Sequence, residues 1–395
     1  MRVLDPLLFL AGHRGAIERI AATRHAWLVG AILVLSAGIA RNYDHLDLLR
    51  QSEWFIGPFA ASLVSIVFIF LCIKWPLNLT EVGKPGPQFF TFLTLAWMTA
   101  PCAWIYGIPV ESMTDIVTAT KWNIAFLAIV SLWRVFLMTR AVAVLTGVRS
   151  IRALPLILAP AALEMLVGSY FKTMSLVGIM GGVRLPPHTQ LLRDATAFVA
   201  GVSFWGFIAA IAACWMVKGT AKLPLSREAG SSALASTWLA AFALAAWVVA
   251  SLPFQPAVQN KHRLESLIQT GNYPEAVAFA SSKQRSDFPD SHEFPSGYGG
   301  RSALPLLDAT SPATPSWLRK EWTNSAIELL KGFHLSENRL ADLNGKHPEI
   351  ADALRQYAKD LRARWDSLDS DERWWLGHYE TATKTEPPKN PPPTR

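Results

Sequence analysis

Residues Trp122–Val148, WNIAFLAIVSLWRVFLMTRAVAVLTGV, decide how the rest of the chain is read. A helix needs about 20 mainly apolar residues to cross a bilayer, and this run exceeds that length with only Arg134 and Arg140 interrupting it. Six further runs approach or meet the same length: Ala26 to Ala40, Phe55 to Ile73, Phe89 to Val110, Ala153 to Val183, Ala195 to Val217 and Ala233 to Phe254. The first is short and needs Arg24, His25 and Arg41 to snorkel from its ends. The run from Ala153 is long and holds Pro155, Pro160, Glu164 and Lys172, which suits a kinked helix or a helix followed by a re-entrant piece. The predicted fold is an all-α integral membrane protein: a bundle of about seven transmembrane helices, residues 26–254, followed by a small α-helical extramembrane region.

Composition agrees with that division. The 395 residues are 51% hydrophobic. Charged residues are sparse through Pro253, with 19 Lys and Arg against 11 Asp and Glu, and dense in the remainder, with 18 against 19. The net charge of +7 therefore comes from the apolar part. Its loops face anionic head groups, so the partner implied is the lipid bilayer and not a nucleic acid. Counted near the run ends, Lys and Arg number twelve on the N-terminal side and eight on the other. The N-terminus is then expected to be cytoplasmic, in a bacterial inner membrane, and seven crossings would leave the tail outside.

Residues 1–25 alternate Leu4, Leu7, Leu8, Ile17 and Ile20 with Arg14, Arg19 and Arg24, a pattern suited to an interfacial helix lying on the membrane. A secretory leader ending near Gly38-Ile39-Ala40 is the alternative. Tryptophans 27, 54, 75, 104, 122, 215 and 238 fall near run ends, where the amphipathic indole prefers the head-group level. Trp97, Trp133, Trp205 and Trp247 are interior and read as packing residues. Small residues fill the last two runs, from Ala200, Gly201 and Gly206 to Ala240, Ala245 and Ala250, so these two helices are expected to pack on each other. Cys72, Cys102 and Cys214 each lie within an apolar run and read as small buried hydrophobes.

The tail, residues 255–385, is predicted helical. Val258 to Thr270, a Gly271-Asn272-Tyr273-Pro274 turn and Glu275 to Ser282 make one helical hairpin whose string GNYPEAVAFA is similar to the turn of a tetratricopeptide repeat. Only one copy is visible, so no array is expected. Residues 283–315, rich in Pro, Gly and Ser, read as loop, helices follow to Phe333, from His347-Pro348 to Leu368 and over Asp369 to Tyr379, and 386–395 reads as a disordered proline-rich end.

Ionisable groups inside an apolar run are costly, and they are the site candidates here. Arg134, twelve residues past Trp122, cannot shed its proton, and Glu164 lies one turn beyond Pro160. The two read as a buried structural bridge, as an arginine that snorkels, or as a polar pocket for an ion or small solute. Arg41, Asp44, Asp47 and Glu111 gather at one membrane face, where the carboxylates attract a hard cation or neutralise Arg41, Arg50 and Lys121. No HExxH, GxSxG, GxxxxGK[ST] or GxGxxG string occurs, and no histidine pair stands four residues apart, so neither an enzyme nor a cofactor is expected.

The strings LSAGIARNYDHLDLL, WMTAPCAWIYGIPVE, SLWRVFLMTR and HRLESLIQTGNYPEAVAFAS together resemble a family of bacterial multi-pass membrane proteins. The resemblance covers most of residues 1 to 290 and implies the membrane architecture with its attached hairpin. It carries over no catalytic residue, substrate or cofactor. Two functions from different classes follow: a membrane-anchored scaffold or accessory subunit that meets a protein partner through its C-terminal helices, or a transporter or channel-like protein using the Arg134 and Glu164 region.

Overall fold

The computed structural model describes residues 1–41, 43, 47–48, 53–74, 85–177, 187–215, 233–289, 294–297, 300–331, 337–365, 368 and 370–384, and every statement below concerns these. All regular structure among them is helical. The chain divides into two compact units, one of residues Met1–Met174 and His188–Gln255, the other of Ser175–Pro187 and Pro256–Arg395.

The first unit opens with two short helices, α1 (Asp5–Leu10) and α2 (Arg14–Ala22), where the sequence pattern suggested a single surface helix. Gly12, at φ +71°, causes the break. Its N–H bonds to Phe9 O at 2.7 Å and the His13 N–H to Leu8 O at 3.0 Å, the paired bonds that close a helix on a left-handed residue. His13 then accepts from the Ala16 N–H and starts α2. Phe9, Ile17 and Ile20 are fully buried, whereas Leu4, Leu7 and Leu8 stay exposed. The segment is thus docked into protein on one side.

Helix α3 (Ala26–Arg41) is the centre of the unit and packs against α4 (Glu53–Lys74), α5 (Pro85–Trp97), the 3-10 helix Ala100–Gly107 and a later helix, α10. Close approach depends on Gly30, where an added Cβ would lie 2.8 Å from Trp97 Cβ. The run from Phe89 to Val110 is not one α-helix, because Pro101 removes a backbone donor and disfavours the α conformation at Ala100, so the chain tightens into the 3-10 form. A single turn, α6 (Val110–Met113), leads to α7 (Ile116–Thr146), which Asp115 caps by accepting from the N–H groups of Val117 and Thr118, both at 3.0 Å. Gly147, at φ +71°, ends it.

Helices α8 (Ser150–Val177), α9 (Pro187–Trp215) and α10 (Leu234–Ser251) complete the unit. The expected pairing of the last two gives way to a different one: the small residues Ser236 and Ala240 of α10 are buried and the helix packs on α3, while α9 buries almost none of its described side chains. Five segments are long and apolar enough to cross a membrane: Gln88–Gly107, Ile116–Thr146, Ser150–Tyr170, Gln190–Cys214 and Leu234–Gln269. Ala26–Arg41 and Phe59–Lys74 are shorter apolar helices.

The second unit holds α11 (Gln255–Gln269), α12 (Tyr273–Ser281), α13 (Ala303–Asp308), α14 (Ser316–Lys331), α15 (Glu337–Lys346), α16 (Pro348–Ala363) and α17 (Ser370–Lys384). Gly271, at φ +74°, closes α11 with its N–H on Ile268 O and that of Asn272 on Leu267 O, so the hairpin turn has a defined chemistry. The stretch predicted as loop contributes to the core: α13 buries Leu306 and Leu307, and Phe288 and Phe294 meet edge to face at 5.1 Å. Trp322, fully buried, donates its indole N–H to Pro295 O at 2.9 Å, and Trp375 donates to Leu330 O at 3.2 Å.

Candidate functional site

Arg134 lies a little past the middle of α7, and its side chain is exposed. Its Nε–H donates to Thr99 Oγ1 at 3.1 Å, and the Thr99 hydroxyl in turn donates to Ala96 O at 2.6 Å. Thr99 is placed there because α5 ends at Trp97 and the 3-10 helix begins after it, turning a hydroxyl toward α7. Glu164 lies on α8, downstream of Pro155 and Pro160. Each proline deletes one i to i−4 backbone bond, leaving the helix free to bend. The Glu164 carboxylate is half-buried: Oε2 accepts from the Ser65 hydroxyl on α4 at 2.7 Å, and Oε1 is enclosed with no hydrogen-bond partner among the described residues.

Arg134 and Glu164 therefore share an electrostatic neighbourhood without forming an ion pair. The buried-bridge form of the expected pair is not what the described residues show: each group spends its one hydrogen bond on a hydroxyl instead. Arg134 also lies in electrostatic range of Cys102 and Tyr106 on the 3-10 helix. Arg41, at the end of α3, sets its guanidinium 5.9 Å from the Tyr106 ring centroid. Two arginines that the sequence assigned to separate clusters thus converge on one tyrosine.

The membrane-face cluster is described only in part. Asp44 is outside the described residues, Glu111 falls in α6 with its side chain outside them, and Asp47 is fully buried. The amide of its neighbour Leu48 donates to Gln255 Oε1 at 3.0 Å. Among the described residues no group of three or more His, Cys, Asp or Glu side chains is placed to hold a metal ion. Above this face Tyr43 packs edge to face on Phe254 at 5.4 Å and tilted on Trp247 at 5.9 Å.

Sequence reasoning missed Ser65, Thr99 and Tyr106. Hydroxyls on apolar helices are common and mark nothing by spacing, and only the packing of α4, the 3-10 helix and α7 makes these three neighbours of charge. The interior tryptophans do more than fill space. Trp97 donates to Ser62 Oγ at 3.0 Å, Trp133 to Leu10 O at 3.0 Å, and Trp104, near a run end, to Ser36 Oγ at 3.0 Å. Comparison of the chain with family models, curated proteins and solved structures returns no match.

Proposed function

We propose that the chain is a multi-pass protein of the bacterial inner membrane, whose seven apolar helices anchor a separate helical module that docks a protein partner. Five long helices and the shorter Ala26–Arg41 and Phe59–Lys74 supply the crossings, with the N-terminus cytoplasmic. The observation that carries the reading is the contrast between the two units. The first leaves Phe198, Trp205, Trp238 and Phe242 exposed on its long helices, a surface suited to hydrocarbon, whereas the second encloses its own aromatic core around Trp322 beneath a charged surface. The tetratricopeptide-like turn at Gly271 belongs to the docking module in this reading. Cross-linking of the full-length protein in native membranes tests it: one partner recovered through residues of the second unit supports a scaffold, and cross-links confined to lipid-facing helices refute it. A chain that stays monodisperse in buffer without detergent refutes the membrane reading as a whole.

A second reading is favoured by Glu164 Oε1, a carboxylate oxygen enclosed without a hydrogen-bond partner among the described residues and in electrostatic range of Arg134. Groups of this kind in an apolar bundle suit a site for a small polar solute.

A further inference from the structure

Arg134 uses one of its guanidinium donors, on Thr99, and among the described residues the remaining ones make no hydrogen bond. Arg41 likewise forms no ion pair there, its guanidinium resting near the Tyr106 ring. Glu164 turns one oxygen to Ser65, and among the described residues the other has no hydrogen-bond partner. Arg134 thus lies in electrostatic range of a carboxylate that it does not neutralise by direct contact, and Arg41 has no ion pair among the described residues. The Arg134 guanidinium, anchored on Thr99 and exposed on an apolar helix, keeps donors unspent, and an oxyanion that accepts from its fork satisfies them.

We propose that Arg134 binds the oxyanion of a small water-borne solute, a phosphate or carboxylate, with Arg41 and Tyr106 marking its route in and Glu164 Oε1 accepting a hydrogen bond from a donor at the solute's other end. The inference rests on the second reading above and adds the ligand's chemistry to it. A water-borne source is favoured by Arg41, which ends an apolar helix and so stands where chain and water meet, its guanidinium 5.9 Å from the ring of Tyr106, on the same 3-10 helix whose N-cap, Thr99, accepts from Arg134. Arginine suits the task better than lysine because its planar fork meets two oxygens at once.

The test uses the full-length protein in phosphatidylcholine nanodiscs, with inorganic phosphate and phosphoethanolamine as probes and thermal stabilisation as the readout. Both probes are expected to raise the melting temperature of the wild type. Arg134→Lys, which keeps the charge and so the fold, should bind roughly tenfold more weakly, and Glu164→Gln should weaken phosphoethanolamine while sparing inorganic phosphate. No stabilisation by either probe, or an unchanged half-saturation in Arg134→Lys, overturns the proposal. Stabilisation that appears only when phosphatidic acid is added to the nanodisc also overturns it, since the oxyanion is then a lipid head group. Ser65→Cys in a background lacking Cys72, Cys102 and Cys214 separates the two levels of failure. If a charged thiol reagent labels it while the probes do nothing, the polar route stands and the ligand chemistry falls. If it is also unlabelled, the solute-site reading falls with it.

Discussion

Asp5 and Arg19 form the tightest charged contact among the described residues of the first unit: Nη2 lies 2.6 Å from Oδ1, and Nε stands 3.1 Å from each carboxylate oxygen. The Arg2 amide adds a third donor at 2.6 Å, and the carboxylate is fully buried while the arginine is about a third exposed. The contact locks α1 onto α2 across the Gly12 turn. Asp5→Asn should cost about 1–2 kcal/mol, the range of a charge-assisted hydrogen bond reduced for the solvent reaching Arg19. Burial raises the Asp5 carboxyl, but the Arg19 hydrogen bonds, the Arg2 amide and the Arg19 charge outweigh it and hold it below its ordinary 3.8. A folded value below the unfolded one gives stability that is complete above the unfolded value and is lost as pH falls through the folded one. Melting of the detergent-solubilised protein should therefore show a wild-type advantage over Asp5→Asn near neutral pH that begins to shrink as pH falls below about 3.8 and vanishes only below the lower folded value. An advantage that stays undiminished at every pH below 3.8 would show that the pair does not act through charge.

The end of α1 is held by one face of α7. Trp133 donates to Leu10 O, Arg140 Nε donates to Gly12 O at 3.4 Å, and Phe136, between them, comes within 3.3 Å of where a Cβ on Gly12 would sit. Gly12→Ala meets both a left-handed backbone and this ring, and should destabilise by about 1–2 kcal/mol. Trp133→Phe keeps the ring and deletes the donor, for about 1 kcal/mol. A melting-temperature series reads both, and the two should couple in a double-mutant cycle, because one contact holds the turn that the other strains.

Gly107, in the last turn of the 3-10 helix, sits beneath the indole of Trp247 on α10, which a Cβ there would overlap. Gly107→Val is expected to push α10 off and lower stability by about 1–3 kcal/mol, the usual cost of overpacking. Trp247→Leu should restore part of that loss by clearing space. Failure of the second change to rescue the first would show that the glycine is needed for its backbone and not for the room it leaves.

The long helices were legible because hydrophobic length is a local property: α7 and α10 announce themselves over a dozen or more consecutive residues. Pro101 was overlooked: Phe89 to Val110 reads as one run by hydropathy, and the 3-10 turn follows only from the donor that Pro101 lacks. The Gly12 break was not visible, since the Leu and Arg pattern of residues 1–25 reads as one amphipathic helix, and only the bonds to Phe9 and Leu8 reveal it. Site chemistry was the least legible. Arg134 and Glu164 stand out against apolar neighbours, but their hydroxyl partners, Thr99 and Ser65, come from helices far away in sequence. Likewise Leu306 and Leu307 become core only once α13 packs on α14, which the Pro- and Gly-rich composition around them conceals.

Trp322 tests whether the second unit is a module in the energetic sense. Its side chain is fully buried within a cluster that includes Leu264, Leu306, Ile350 and Trp375, and its indole donor is spent on Pro295. Trp322→Ala should cost about 3–5 kcal/mol, the range for removing a large aromatic from a core, and Trp322→Phe less, chiefly through the donor lost and the carbonyl left unpaired. Two compact units with separate cores need not melt together. Calorimetry of the full-length protein in detergent should therefore show two transitions, with Trp322→Ala lowering one by many degrees and leaving the other in place. The same experiment on Asp5→Asn should move only the transition that Trp322→Ala spares. A single transition shifted by both substitutions would mean that the two cores fold as one, and the anchored-module reading would lose its physical basis.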